Sequence, residues 1–392
     1  MTSIEKTLTR NWNYPTNVRF GAGRIAELPD ACRSLGMTRP LLVTDPALAA
    51  LPMIRDVMAR NEEAGLPTAL FSDIKGNPVG KNVDDGVRVF KEAGCDGVIA
   101  MGGGSALDVG KAIALMVGQT RPMWDFEDID DWYTRVNTDG MAPVVAVPTT
   151  AGTGSEVGRS SVIANEDDGH RKVIVFHPRM LPGIALCDPA LTVSLPAKLT
   201  AATGMDALSH NLEAYCAPGY HPLADGIAVE GIRLVHDWLV TAVKEPGNLE
   251  ARAHMMAASL MGATAFQKGL GAMHALSHPV GARFDAHHGL TNAVVMPYVL
   301  DFNQRAIAAR LERLAAYIGL DATSPGAVLD WVLSLRRELE IPHTLKDLGV
   351  TEESVDELAP MAAADPSASG NPVPVDAEAL AGLYRRALAG EV

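Results

Sequence analysis

Three short apolar runs constrain the fold most. RPLLVTD (Arg39 to Asp45), DGVIAMGGGS (Asp96 to Ser105) and APVVAVPTT (Ala142 to Thr150) have apolar centres without the polar alternation of a half-solvated strand. A strand that is apolar on both sides must be covered on both sides. Helical patterns such as VDDGVRVFKEAG (Val83 to Gly94) lie between the first two runs. Strands alternating with helices in this way predict a parallel sheet with helices on both faces.

Near IALCDPALTVSLPAKLTAATGMDALSH (Ile184 to His210) the pattern changes to successive Ala-, Leu- and Met-rich helices broken by Pro or Gly. A chain of 392 residues is also too long for one core. The expected organisation is therefore α/β plus all-α: a Rossmann-like parallel-sheet domain over 1–190 and an all-helical domain over 191–392. The stretch AADPSASGNPVPVDAEAL (Ala363 to Leu380) reads as a surface loop before a last short helix, with no function attached.

Thirty-three Lys and Arg against 47 Asp and Glu give a formal charge of −14, which would repel a phosphate backbone and argues against nucleic acid as a partner. The opening MTSIEKTLTRNWNYPTNVRF lacks the apolar core of a leader, and no later stretch is apolar for the roughly 18 residues that span a bilayer. Cys32, Cys95, Cys187 and Cys216 are far apart and form no CxxC pair, which fits thiols used as small apolar fillers in a reducing compartment. A soluble cytoplasmic protein is expected.

GVIAMGGGSALDVGKAIAL places Gly102, Gly103 and Gly104 after a strand and before a helix. Without Cβ atoms the backbone can approach a ligand closely, and the free N–H groups of the following helix favour an anion such as a pyrophosphate. A Walker A loop ending at Gly110-Lys111 would need Gly at Ser105 and Ser or Thr at Ala112, so a nucleotide triphosphatase is disfavoured. Asp45 ends the first strand, where a carboxylate can accept ribose hydroxyls and repel a 2′-phosphate, favouring NAD over NADP; it is equally suited to cap a helix opening at Pro46. VPTTAGTGSEV (Val147 to Val157) adds hydroxyl and backbone donors after the third strand, at the carboxyl edge where open α/β sheets bind ligands.

Asp206 and His210 lie four residues apart in a helical stretch, His274 and His278 repeat that spacing, and His288 precedes Gly289. Residues at i and i+4 project from one helix face and can grip one ion. Three imidazoles and a carboxylate suit Fe(II), with Zn(II) also compatible.

GGGSALD, VPTTAGTGSE, ATGMDALSHNLEAY and GLGAMHALSHPVGARFDAHHG together resemble the iron-containing (group III) alcohol dehydrogenases, the family of lactaldehyde reductase and 1,3-propanediol dehydrogenase. The likeness runs in order from about residue 12 to 310 and is looser beyond. It implies a dehydroquinate synthase-like fold. It also implies reversible metal-dependent hydride transfer between NAD and a primary alcohol, diol or hydroxy acid, giving an aldehyde.

By position, the resemblance makes Asp206, His210, His274 and His288 the metal ligands and His278 a non-ligating histidine near the reacting centre. Asp45, Asn77, Gly103, Gly104, Ser105, Asp108, Thr149, Thr150 and Lys172 match positions that contact NAD. Relatives often have Pro-His-Gly where this chain has His287-His288-Gly289, so the ligand role goes to His288 and His287 is spared. A homodimer or larger assembly is implied. The expected small-molecule partner is an alcohol or aldehyde, 4-hydroxybutyrate being one candidate, and Arg159 or Arg283 could pair a substrate carboxylate. A zinc polyol dehydrogenase, a dehydroquinate synthase-like lyase on the same fold and an NAD- and metal-binding sensor without turnover are the rival readings.

Overall fold

The three apolar runs form neighbouring central strands of one sheet. The computed structural model describes residues 16–392; residues 1–15, which hold most of the stretch scanned for a leader, lie outside the described residues. Two compact units emerge, one running through Thr150 and resuming over Gly154–Ser194, the other comprising Ala151–Thr153 and Leu195–Val392.

In the first unit, strands β1 (Asn17–Phe20), β2 (Pro40–Val43), β3 (Ala69–Phe71), β4 (Gly97–Gly102), β5 (Val144–Pro148) and β8 (Ile184–Cys187) make a six-stranded sheet in the order β1-β8-β5-β4-β2-β3. Every neighbouring pair is parallel. Its helices are α1 (Leu28–Ser34), α2 (Pro46–Ala49), α3 (Pro52–Glu63), α4 (Gly80–Glu92) and α5 (Gly104–Met116). Successive side chains of a strand point to opposite faces, and the core divides accordingly. Leu41, Val43, Val98, Ala100, Val144 and Ala146 pack with Val83 and Phe90 of α4 and Ile113 of α5. Leu42, Ile99, Met101, Val145 and Val147 pack with Leu28 and Cys32 of α1 and Ile54 and Val57 of α3. That two-sided burial is why these strands read as continuous apolar runs.

The sequence reading missed β1, β3 and β8, which are only three or four residues long, and an antiparallel hairpin, β6 (Ser160–Asn165) with β7 (Arg171–Phe176). The hairpin strands carry polar residues at their exposed positions, so no apolar run marks them.

The second unit is helical: α6 (Ala197–Cys216), α7 (Pro222–Lys244), α8 (Leu249–Ala265), α9 (Ala272–Phe284), α10 (His288–Asn303), α11 (Ala308–Tyr317), α12 (Pro325–Glu338), α13 (Val355–Ala364) and α14 (Ala377–Ala389). Every residue of α6 from Thr200 to Cys216 is buried. Helices α7, α8 and α10 pack around it. A helix buried all round needs an apolar surface all round, yet α6 carries Asp206, Ser209, His210, Asn211 and Glu213. Those five groups must find partners inside the unit.

One expectation is corrected here. The stretch from Ala363 is not a surface loop: Ser367, Ala368 and Asn371 are buried, and Pro366–Gly370 forms a 3₁₀ turn. Asn371 exchanges side-chain amide bonds with Asn303 of α10, each 2.8 Å, which removes the cost of burying either amide. Pro and Ser composition signalled irregular backbone correctly but said nothing about burial.

Among the described residues no helix is long and apolar enough to cross a membrane. All four cysteines are free thiols. Burial pushes the Cys32 and Cys216 thiols up to about 12, leaving on the order of one molecule in 10⁴ as thiolate at pH 8. Cys95 is only partly buried. Iodoacetamide at pH 8 is therefore expected to alkylate Cys95 well before Cys32, Cys187 or Cys216 in the native protein, read by peptide mass spectrometry; equal labelling of Cys216 would contradict the packing described.

Candidate functional site

In the sheet unit, the chain passes from β2 outward to β3 and then returns to β4 on the other side of β2. This reversal is a topological switch point, and ligands of open α/β sheets bind outside the carboxyl ends of the strands there. Asp45 follows β2 and Gly103 follows β4, so two predicted positions flank it. Gly102 has φ +151°, and a Cβ on it would lie 2.7 Å from the Ala106 Cβ and 3.7 Å from Asp45 Oδ2. Gly103 is the extended N-cap of α5, and Gly104 and Ser105 form its first turn with their N–H groups unused by the helix. Thr149 donates its N–H to the Gly102 carbonyl at 2.9 Å. The Thr150 methyl is 3.4 Å from where a Cβ on Gly103 would be, so both threonines sit against the glycine loop.

Asp45 does cap α2, its Oδ1 accepting from Ala47 N and Leu48 N, each at 3.0 Å. Asn77 lies in the turn before α4. The adjoining Pro78 carbonyl accepts from Ala164 N at 2.8 Å, and Ala164 stands opposite Lys172 in the hairpin. Asp108 is engaged within the protein: Oδ1 accepts from Ser155 Oγ at 2.5 Å and Oδ2 from Val162 N at 2.9 Å. Its carboxylate thus fastens the TTAGTGSE stretch and β6 to α5. Lys111 is fully buried, with Nζ donating to the Ser155 carbonyl at 3.0 Å. A lysine held this way is not the phosphate-binding lysine of a Walker loop.

In the helical unit, one potential ligand atom from each of Asp206, His210, His274 and His288 lies within 4.8 Å of the others. Asp206 and His210 sit one turn apart on α6, His274 in the first turn of α9, and His288 opens α10. Gly289 explains the His-Gly pair: a Cβ there would come 2.5 Å from the Ala202 carbonyl and 2.8 Å from Asp206 Cβ. Only glycine lets α10 approach α6 closely enough to bring His288 to Asp206.

Second contacts orient the rings. His210 Nδ1 faces the Gly152 carbonyl at 3.2 Å, and His274 Nδ1 faces Glu213 Oε2 at 2.6 Å. Both acceptors require an N–H on Nδ1, which leaves the Nε2 lone pair for a ligand. Burial drives His210 down to about 4, keeping it neutral. Burial also pulls His274 down, but the Glu213 carboxylate outweighs it and the net direction is up, which makes the ring the more basic donor. Three neutral imidazoles converging with a buried carboxylate fit a divalent transition metal such as Fe(II) or Zn(II).

His278 lies outside this donor set. Its ring stacks on His288 with centroids 5.3 Å apart. Its Nδ1 is 2.7 Å from Asp365 Oδ2. His287 is exposed and caps α10, accepting from Leu290 N through Nδ1 at 3.3 Å. Of the two arginines considered for a substrate carboxylate, Arg283 pairs with Glu357 at 2.6 Å and Arg159 lies over the Phe176 ring at 5.5 Å.

Sequence reasoning missed Glu213, Asn292 and Asp365. Glu213 follows His210 by three residues, a same-face spacing that signals a partner near the same ion. Asn292 similarly follows His288 by four. Asp365 had no local signal, because its contact with His278 joins positions 87 residues apart.

A glycine loop at a switch point and a three-histidine, one-aspartate cluster in one chain define the class of metal-dependent dehydrogenases. Residues 15–189 match the family model described as iron-containing alcohol dehydrogenase, and 200–388 match the C-terminal model of that family. The chain is 40% identical over 388 residues to 4-hydroxybutyrate dehydrogenase of Cupriavidus necator, covering 96% of this chain and 98% of that one. A crystal structure of 1,3-propanediol oxidoreductase superposes with a TM-score of 0.91 at 35% identity, covering 97% of this chain and all (100%) of that one. Sulfoacetaldehyde reductase from Bifidobacterium kashiwanohense, solved with NAD+, gives 0.86 at 31% identity over 97% and 99% of the two chains. The chain belongs to the iron-containing alcohol dehydrogenase family, and it is an alcohol dehydrogenase.

Burial pushes the Asp365 carboxyl up, but the His278 ring and the Ser367 N–H at 2.8 Å pull harder, and it falls from 3.8 to about 2. A carboxyl lowered on folding stabilises the protein above its unfolded value and loses that contribution as pH falls towards 2. Asp365→Asn is therefore expected to cost about 2 kcal/mol at pH 6 and progressively less between pH 4 and 2, measured by denaturant unfolding at each pH. His287→Ala is expected to cost roughly 0.5–1 kcal/mol through the lost cap while leaving metal content unchanged.

Proposed function

We propose that this alcohol dehydrogenase interconverts a primary alcohol, a diol or an ω-hydroxy acid with its aldehyde, using NAD and a divalent iron held by Asp206, His210, His274 and His288, with zinc able to take its place. The observation that carries the proposal is the convergence of those four donors on one point, each with its orientation fixed by a second contact. When bound, the metal supplies a Lewis acid for the alcohol oxygen and the nicotinamide accepts the hydride. The rest is done by the chain. Gly103, Gly104 and Ser105 offer backbone N–H groups to phosphate, and Asp45 sits where ribose hydroxyls need an acceptor.

Removing hydride from an alcohol also releases a proton. His278 donates its Nδ1–H to Asp365, so its Nε2 carries the lone pair that can accept that proton directly or through water. His278 is thus the proposed catalytic base, with Asp365 fixing its tautomer. The 40% identity with a 4-hydroxybutyrate dehydrogenase supports ω-hydroxy acids among the substrates. Arg283 and Arg159 are already engaged elsewhere, so a substrate carboxylate would have to be met by other donors. We extend the reading to a cytoplasmic enzyme, which free thiols support, and to a homodimer or larger assembly, to be measured by light scattering.

The test is a screen of short aldehydes, including succinate semialdehyde, for NADH oxidation under anaerobic conditions with Fe(II) or Zn(II). NAD and metal binding without turnover of any of them would instead favour a sensor. His274→Ala should lose most bound metal along with activity, measured by elemental analysis; full metal content would remove His274 from the ligand set. Asp45→Gly should raise the NADP+/NAD+ ratio of kcat/KM by roughly tenfold, the worth of one charge-assisted contact.

A further inference from the structure

Asn292 stands one turn after His288 on α10 and is completely buried. Its Nδ2 lies 2.9 Å from Asp206 Oδ1, 3.3 Å from His274 Nε2 and 3.2 Å from His288 Nε2. Those are three of the four donor atoms assigned to the metal. The orientation of the amide follows from charge: turned over, its oxygen would face a carboxylate and two nitrogen lone pairs with no hydrogen to share. The cost of the observed orientation is also visible, because Asn292 Oδ1 is buried without a hydrogen-bond partner. An orphaned carbonyl is tolerated only when the other end of the amide gains more.

We propose that Asn292 is a stand-in for the metal: in the metal-free protein its amide hydrogens satisfy the lone pairs that the ion takes when it binds. The inference rests on the four-donor reading above and extends it to a residue outside the ligand set. Without a cation, Asp206 Oδ1 and two imidazole nitrogens converge in a water-poor interior, and each would be both unpaired and repelled by the others. Two N–H bonds shared among three acceptors relieve this. When a divalent ion arrives, the same lone pairs turn to it and the positive end of the amide gains nothing. Asn292 therefore stabilises the free form more than the loaded form, and by linkage it weakens metal binding by the same free energy.

The direction expected is opposite to that of a ligand. Full-length Asn292→Ala should be less stable than wild type when stripped by chelator, but close to wild type when loaded with Zn(II), apart from a cavity cost common to both states. Its Zn(II) affinity, measured by competition with a chromogenic chelator at pH 8, should be about fivefold to tenfold tighter, corresponding to one net hydrogen bond. Asn292→Asp keeps the shape, removes both N–H groups and adds a carboxylate, so its metal-free form should be weaker still and its Zn(II) affinity higher. It keeps the comparison available if the alanine variant does not fold without metal. Unchanged affinity with an equal loss of Tm in both states would overturn the proposal and leave Asn292 a packing residue. Weaker Zn(II) binding by Asn292→Ala would overturn it in favour of a residue that holds the donors for the loaded state. Failure of the wild-type protein to bind Zn(II) or Fe(II) at all would overturn the four-donor reading, and the stand-in with it.

Discussion

The helical unit depends on the desolvation of α6. From Thr200 to Cys216 this helix has no solvent-facing side, and yet it carries two carboxylates and an imidazole. Taking such groups out of water is costly unless each gains a bond. The arrangement around α6 answers that requirement. Glu213 accepts from Met273 N at 2.7 Å and from His274, so it fixes the start of α9. His210 is met by the Gly152 carbonyl. Asp206 draws in Asn292 and with it α10. The polar groups of one helix thereby set where the next two begin, and the donor cluster follows from packing that the fold needs in any case.

Much of this was legible because it is periodic or local. The continuous apolar runs identified β2, β4 and β5, since residues covered on both faces have no reason to alternate. The i, i+4 pairs on α6 and α9 were visible because helix geometry alone puts such residues together. Short edge strands were not visible, because three residues carry too little pattern. The hairpin of β6 and β7 was hidden for a different reason: its polar positions face solvent, so it lacks the signature of the parallel strands.

The site was legible to the same degree and for the same causes. The four donor positions converge, and His278 stands beside them with its ring on His288. What escaped were the groups that orient them. Asp365 and Asn371 lie in a stretch whose Pro and Ser content suggested solvent, because composition reports backbone irregularity and not environment. Asp45 and Asp108 show the converse. Each has a structural hydrogen-bonding task that sequence position alone does not reveal, Asp45 as a helix cap and Asp108 as the clasp of the serine loop. For Asp45 a cap and a ribose acceptor remain compatible, because only Oδ1 makes the capping bonds.

The bond from His278 to Asp365 also bears on the order in which the enzyme comes into being. Chains are synthesised amino terminus first and begin to fold as they emerge. All four donors have been made once His288 has left the ribosome, and α6, α9 and α10 can then pack around them. His278 must wait a further 77 residues for its carboxylate, which arrives close to the end of the chain. A nascent or prematurely terminated chain can therefore own the full set of donors while its neighbouring histidine still lacks the group that sets its tautomer. Assembly of the ion-binding cluster and assembly of the proton-handling pair are separate events in time, and the second is the later one.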